Sequence, residues 1–309
     1  MKARIAKPVL GAGRAPLTRV SNEATQVHVF CIGFGDLARR VTQRVTATGG
    51  SVSGLRRTVV SEPGVAMHSG DCRDSDLLTT LLPGHDLVIV SLTPDTYSAA
   101  GYRDAYVAPA RALHQAIARL SAKPPLVLWV SSTSVYGDQD GQWVDETTPP
   151  QPQTASAQAL LEAETIIADC ATASAVVRFS GIYGRGSTRL LDQVKAGRCA
   201  PATPEHWSNR IHGDDCAGVL HHLALRYISG TALDALYLAS DCQPTPLHQV
   251  HRWLAEQLNV PFICEQPTTD PKPNRRCNNQ RLLDTGYAFT YPTFQEGYRQ
   301  VVAEEYARG

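Results

Sequence analysis

The chain has 309 residues, 43% of them hydrophobic and 19% charged, with 23 glycines and 20 prolines. That balance excludes a disordered, collagen-like or coiled-coil chain and leaves room for a large single fold or a core with a small appendage. Twenty-nine basic residues cancel twenty-nine acidic ones, so no overall positive field exists to hold nucleic acid or an anionic membrane. No stretch approaches the roughly 18 apolar residues of a membrane span, and no apolar run marks a secretory signal. The expected location is the cytoplasm. Eight scattered cysteines without a Cys-x-x-Cys pair suggest neither a disulfide framework nor a zinc site, and read as small buried hydrophobes.

Residues 1–26 carry five basic side chains against Glu23 alone and show no helical period, the pattern of a flexible basic leader. Pro8 and Pro16 break the amphipathic helix that an organelle-targeting segment would want. From Val27 short apolar runs alternate with helical segments, the form of repeated β-α units and a parallel sheet. Strands are expected at Val27–Ile32, Ser51–Leu55, Val65–Ser69, Leu87–Ser91, Leu126–Val130, Ala175–Phe179 and, later, Ala235–Ala239. Leu37, Val41 and Val45 mark one helix face between the first two strands, and Gly49-Gly50 ends that helix. After Phe179 the rhythm loosens into Gly- and Pro-rich stretches with helices near 187–196, 214–228, 246–258 and 294–305. The expected division is a nucleotide-binding core over 27–180 and a mainly substrate-binding region over 181–309, with a strand returning to the sheet near 235–239.

The first strand runs into Gly33-Phe34-Gly35-Asp36-Leu37-Ala38, a G-x-G-x-x-A turn that opens a helix. The first glycine permits a backbone turn closed to other residues, the second lets a pyrophosphate approach the main chain, and Ala38 lets helix and strand pack closely. Free N–H groups and the helix dipole favour the anion, so Gly33, Gly35, Asp36 and Leu37 are candidate cofactor ligands. The second strand ends in Arg56-Arg57, where an NAD-preferring fold places an acidic residue. Two guanidiniums suit a 2′-phosphate, which favours NADP over NAD. Asp71, after the third strand, is placed either to accept from the adenine amino group or to form a turn.

These residues, with Ser131-Ser132-Thr133-Ser134-Val135-Tyr136-Gly137, Arg178-Phe179-Ser180-Gly181-Ile182-Tyr183-Gly184 and Asn209-Arg210-Ile211-His212-Gly213-Asp214-Asp215, follow one another in an order that resembles the extended or atypical short-chain dehydrogenase/reductases. That branch contains the sugar-nucleotide epimerases and dehydratases, and the resemblance covers residues 27–305. It implies an α/β fold: a Rossmann-type doubly wound parallel sheet with a small C-terminal α/β substrate domain, commonly in a homodimer acting on a small-molecule substrate. It also implies that Ser91, Leu92 and Ser131, at the ends of the fourth and fifth strands, face the nucleotide. Ser132 takes the role of the hydroxyl that orients a substrate carbonyl or alcohol, and it could equally bond local backbone.

The family's Tyr-x-x-x-Lys is missing. Aligned on Ala163-Glu164, the Tyr position holds Ser156 and the Lys position Leu160, and no Tyr-x-x-x-Lys occurs anywhere in the chain. In the complete site Lys lowers the Tyr pKa and Tyr relays the proton that accompanies hydride transfer. Here another group must do so, the candidates being Tyr136, Tyr183, His212 and a water on Ser132 or Ser156. Thr133 and Ser134 stand where the dehydratase branch keeps acidic residues, so dehydration is disfavoured. Thr133, Ser156 and Arg210, with His206-Trp207, are candidate substrate contacts. His221-His222 are adjacent on a helix and point apart, so no metal site is expected. Asp214-Asp215 would cap the helix that follows. Two functions remain open: an NADP-dependent oxidoreductase or epimerase-like enzyme with a non-standard proton donor, and a catalytically lapsed NADP-binding sensor or scaffold.

Overall fold

The structure is a computed structural model that describes residues 26–58, 60–264 and 273–307. The leader expected over 1–26 lies, apart from Gln26, outside the described residues. The seven expected strands are all present: β1 (His28–Ile32), β2 (Ser51–Arg56), β3 (Val65–Ser69), β4 (Leu87–Val90), β5 (Leu126–Ser132), β6 (Ser174–Phe179) and β7 (Leu236–Ala239). They form one parallel sheet in the order β7-β6-β5-β4-β1-β2-β3. The central strand β1 aligns Val29 with Val52 on one side and with Leu87 on the other. The four residues of β4 are all buried, as a strand covered on both faces requires.

On one face lie α1 (Asp36–Ala47) and α2 (Gly213–Ile228), and the two helices pack against each other. Ala38, Val41, Thr42 and Val45 form the buried stripe of α1, a spacing that keeps one face of a 3.6-residue helix on the core. The opposite face carries helices Ser75–Leu81, Ala108–Ala118 and Ala155–Ala168, whose Leu78, Leu113, Ile117, Ala163 and Ile167 pack around Trp129. A separate apolar cluster joins helices Arg189–Lys195, Leu247–Leu258 and Phe294–Tyr306 through Leu191, Val194, Val250, Leu254 and Val301. The chain after Phe179 returns more to the sheet than the sequence suggests: the whole helix Gly213–Ile228 covers it, as well as β7.

Two further expectations are corrected. Cys242 and Cys264 are exposed and Cys72 is partly so, whereas the other five cysteines are buried. The helix Gly213–Ile228 is capped by His212, whose ring accepts from the Asp214 amide, and not by the aspartates. Asp215 is instead buried and staples the C-terminal loop, accepting from Thr290 N at 2.7 Å, Tyr291 N at 2.9 Å and Tyr287 Oη at 2.9 Å. Asp214 pairs with Arg40 of α1, which ties the two helices of that layer. Among the described residues no helix is long and apolar enough to cross a membrane, and no side-chain group is arranged to hold a metal.

A buried ion pair joins β5, β6 and the helix between them. Arg178 donates to Glu164 at 2.6 Å, both side chains are more than nine-tenths buried, and Ser131 Oγ donates to the same carboxylate at 2.5 Å. Removing one member leaves an uncompensated buried charge, at a cost of about 3–5 kcal/mol. Glu164→Ala is expected to lose that much stability in urea unfolding, and a loss under about 1 kcal/mol would show that the pair is not buried as described.

Candidate active site

The end of β1 is held against the end of β4. Gly33 has φ +84°, its N–H donates to Leu55 O at 3.2 Å, and a Cβ built on it would lie 2.1 Å from the carbonyl oxygen of Ser91. Only glycine fits both the angle and the contact. Ser91 Oγ closes the turn from the other side, donating to Gly33 O at 3.2 Å. Gly35 is the N-cap residue of α1, no side chain caps that helix, and a Cβ there would meet nothing within 4 Å. The first amides of α1 therefore open onto free space at the point where the strand order reverses, between β1 and β4. An open sheet binds its ligand at this point, and a diphosphate suits such a helix start. Asp36 points outward and pairs with Arg40 at 2.7 Å. The turn thus fits a dinucleotide through the backbone at Gly35, Asp36 and Leu37.

Beyond the turn, a cavity of about 260 Å³ is lined by Arg57, Asp71, Arg73, Leu92 and Asp95, among others. Arg56 is exposed and has no ion pair among the described residues, whereas Arg57 is held by Asp95. Asp71 accepts from the Arg73 amide at 2.9 Å and from its guanidinium at 2.6 Å, which keeps its carboxyl below the usual range. The turn-forming role weighed for Asp71 is thus present, on the cavity wall.

A second cavity, about 720 Å³, opens at the carboxyl ends of β5 and β6. Ser131, Ser132, Thr133 and Ser180 form its floor, His206 and Trp207 a wall, and Arg189 and Arg275 supply positive charge. Among the described residues no Asp or Glu lines it. Ser132 Oγ accepts from Ser134 N at 3.1 Å and so caps the short turn Thr133–Tyr136. This local bond fixes the serine's rotamer, while its O–H proton is left to donate into the cavity. Arg189 and Arg275 were not singled out in the sequence. Arg275 follows Asn274, whose side chain accepts from Trp207 N at 2.8 Å and donates to Glu205 O at 3.0 Å, bonds spanning about seventy residues.

Five expected residues lie off this cavity wall. Tyr136 is fully buried under the Arg178 guanidinium, 4.8 Å from its ring centre, and burial pushes its phenol up to about 12. Tyr183 stacks on Tyr298 at 4.3 Å inside the C-terminal cluster, with its phenol raised by burial. His212 has no exposed side-chain surface, packs 4.1 Å from the Tyr291 ring, and burial lowers its pKa from the ordinary imidazole value. Arg210 is buried on Phe294, its guanidinium 5.3 Å from the ring centre, and bonds Ser208. Ser156 is half-buried in the first turn of its helix, and Leu160, in the former lysine position, packs with Val135 and Tyr136. These side chains hold the walls up; they do not face into the cavity.

The profile of the NAD dependent epimerase/dehydratase family matches residues 33–226. The chain is 30% identical over 203 residues to the Escherichia coli K12 protein YeeZ, across 62% of this chain and 71% of that one. A Methylobacillus flagellatus structure, named provisionally as an NAD-dependent epimerase/dehydratase, is 32% identical with a TM-score of 0.75, covering 91% of this chain and all of that one. A UDP-glucose 4-epimerase from Thermotoga maritima, solved with UDP-glucose, shares the fold at 14% identity and a TM-score of 0.72, over 91% and 99% of the two chains. With a turn built for a diphosphate and a cavity at the strand ends beside it, the chain belongs to the NAD-dependent epimerase/dehydratase family of the extended short-chain dehydrogenase/reductases.

One buried acid near the cavity makes stability depend on pH. Asp241 is 1% exposed, its Oδ2 has no hydrogen-bond partner among the described residues, and burial pushes its carboxyl up to about 7 against the pull of Arg210. An unfolded aspartate titrates near 3.9, so folding favours the protonated form. This contribution is complete below about pH 4 and is lost as pH rises towards 7. Asp241→Asn should flatten the fall in urea midpoint between those limits relative to the unaltered protein, and identical slopes would contradict the assignment.

Proposed function

We propose that the protein is an NADP-dependent oxidoreductase or epimerase-like enzyme acting on a small or nucleotide-linked anionic carbonyl or alcohol. The observation that carries this reading is that the uncapped glycine turn and the basic, serine-lined cavity both lie at the carboxyl ends of the same parallel strands. The amides after Gly35 hold the diphosphate, Arg56 and Arg57 take the 2′-phosphate, and Asp71 lies at the adenine end. When bound, the nicotinamide supplies or accepts a hydride at the reacting carbon. Ser132 donates to the substrate oxygen and orients it, while Arg189 and Arg275 hold an anionic group further out. With Tyr136, Tyr183 and His212 buried, the proton passes through a water on Ser132. The family resemblance supports a homodimer, and we place it in the cytoplasm.

A second reading has an observation in its favour. Ser156 and Leu160 replace the family's acid and its cation, and Leu160 is buried in the core. This leaves a nucleotide-binding protein that has lost catalysis and serves as a sensor or scaffold. Two measurements test these readings, the first the coenzyme preference they share and the second the catalysis that separates them. Calorimetric titration should show the Arg56→Ala, Arg57→Ala double variant losing NADPH affinity by about 10- to 100-fold with NADH spared. Equal losses for both coenzymes would discard the phosphate clamp. Against a carbonyl panel with NADPH, Ser132→Ala should turn over more slowly by on the order of 10² to 10⁴. No turnover by the unaltered protein would favour the lapsed form, and unchanged turnover in the variant would remove Ser132 from the chemistry.

A further inference from the structure

The adenine end of the nucleotide cavity carries its own anion. Asp95, in the segment after β4, accepts from both terminal nitrogens of Arg57, with 2.6 Å between Arg57 Nη2 and Asp95 Oδ1 and a shorter contact from Nη1 to Oδ2. This fork-to-fork pairing uses the same two N–H groups that a guanidinium would offer a phosphate. Both side chains are more than half exposed and both line the cavity of about 260 Å³. Around them the remaining charge is already paired: Arg73 is closed on Asp71, while Arg56, one residue back, is the guanidinium without an ion pair among the described residues. Arg57 is thus occupied by an internal carboxylate at the position where the expected phosphate selectivity needs it.

We propose that Asp95 is a specificity-determining residue, a built-in competitor that holds Arg57 and must be displaced by the 2′-phosphate of NADP. The inference rests on the NADP reading above. A phosphate monoester carries about −1.5 to −2 charges against the single charge of a carboxylate, so it takes the guanidinium over. The freed Asp95 is exposed enough to turn into water, and an ion pair so exposed is weak, which keeps the exchange reversible. NADH has a 2′-hydroxyl in place of the phosphate and leaves the pair intact. Asp95 therefore narrows the margin by which NADP is preferred, and charge removal there widens it.

The test is calorimetric titration of Asp95→Asn and the unaltered protein with NADPH, NADH, adenosine 2′,5′-bisphosphate and AMP. The last two probe the adenine end without any turnover. Asp95→Asn is expected to gain on the order of 5-fold in affinity for NADPH and the bisphosphate at low salt, with NADH and AMP unchanged, and the gain should shrink as salt is raised. On an Arg57→Ala background the same substitution should give no gain, because the guanidinium for which the two anions compete is gone. Equal changes for all four ligands would mark Asp95 as a packing residue and overturn the proposal. So would a gain that survives Arg57→Ala, or a loss confined to NADH. If the unaltered protein binds none of the four ligands, the NADP reading itself fails. If it binds NADPH and Asp95→Asn leaves the NADPH-to-NADH ratio unchanged, only the role of Asp95 fails.

Discussion

The contact between Gly33 and the carbonyl of Ser91 is the constraint on which the rest of the site depends. It presses the ends of β1 and β4 together so closely that a single added carbon at Gly33 would lie 2.1 Å from a backbone oxygen. Because the chain turns there with φ +84°, α1 starts at the sheet edge with its first amides pointing into open space. Sheet order then places everything else. β2 and β3 continue to one side and deliver Arg56, Arg57 and Asp71, and β5 and β6 continue to the other and deliver Ser132 and Ser180. The glycine turn and the serine-lined cavity share one edge because all seven strands run the same way.

The serine-lined cavity carries hydroxyls, two guanidiniums and, on its wall, the His206 ring. Its charge comes from arginines, which stay protonated, and its hydroxyls are those of serine and threonine. Ser156, read from the sequence as standing at the family's tyrosine position, is half-buried, and Leu160, read as standing at the lysine position, lies in the core. The tyrosines and the histidine that might have stood in for them serve packing and capping, and burial moves each away from neutral titration or from solvent. The glycine turn, with its open helix start, is the feature of the site most suited to an anion.

Much of this was legible in the sequence, for a physical reason. Strands covered on both faces need Val, Ile and Leu, so β4 and β5 were visible as apolar runs, while β2 and β3, with Ser, Gly, Met and His among their residues and β3 only partly buried at the sheet edge, were legible mainly by their spacing; the glycine turn was visible because its pattern is local. Interactions between distant segments were not. Asp215 as a staple for residues 287–291, Asp95 on Arg57 and Arg275 on the cavity wall join positions far apart in the chain, whereas the His212 cap is local but uses a ring nitrogen where a carboxylate or hydroxyl is the usual cap. Nothing in the local pattern distinguishes an aspartate that caps its own helix from one that reaches across to another loop. The one clue was Asn274-Arg275-Arg276, a polar run in a region otherwise poor in motifs, whose backbone and side chains lace the cavity rim to Gly137, Gly141 and Trp207.

The most direct measurement is amide hydrogen exchange across residues 33–39, with and without saturating NADPH. If the open helix start receives the diphosphate, those amides slow on addition of the nucleotide, while helices Leu247–Leu258 and Phe294–Tyr306 exchange as before. Unchanged exchange at 33–39 in the presence of the coenzyme would contradict the assignment of the turn.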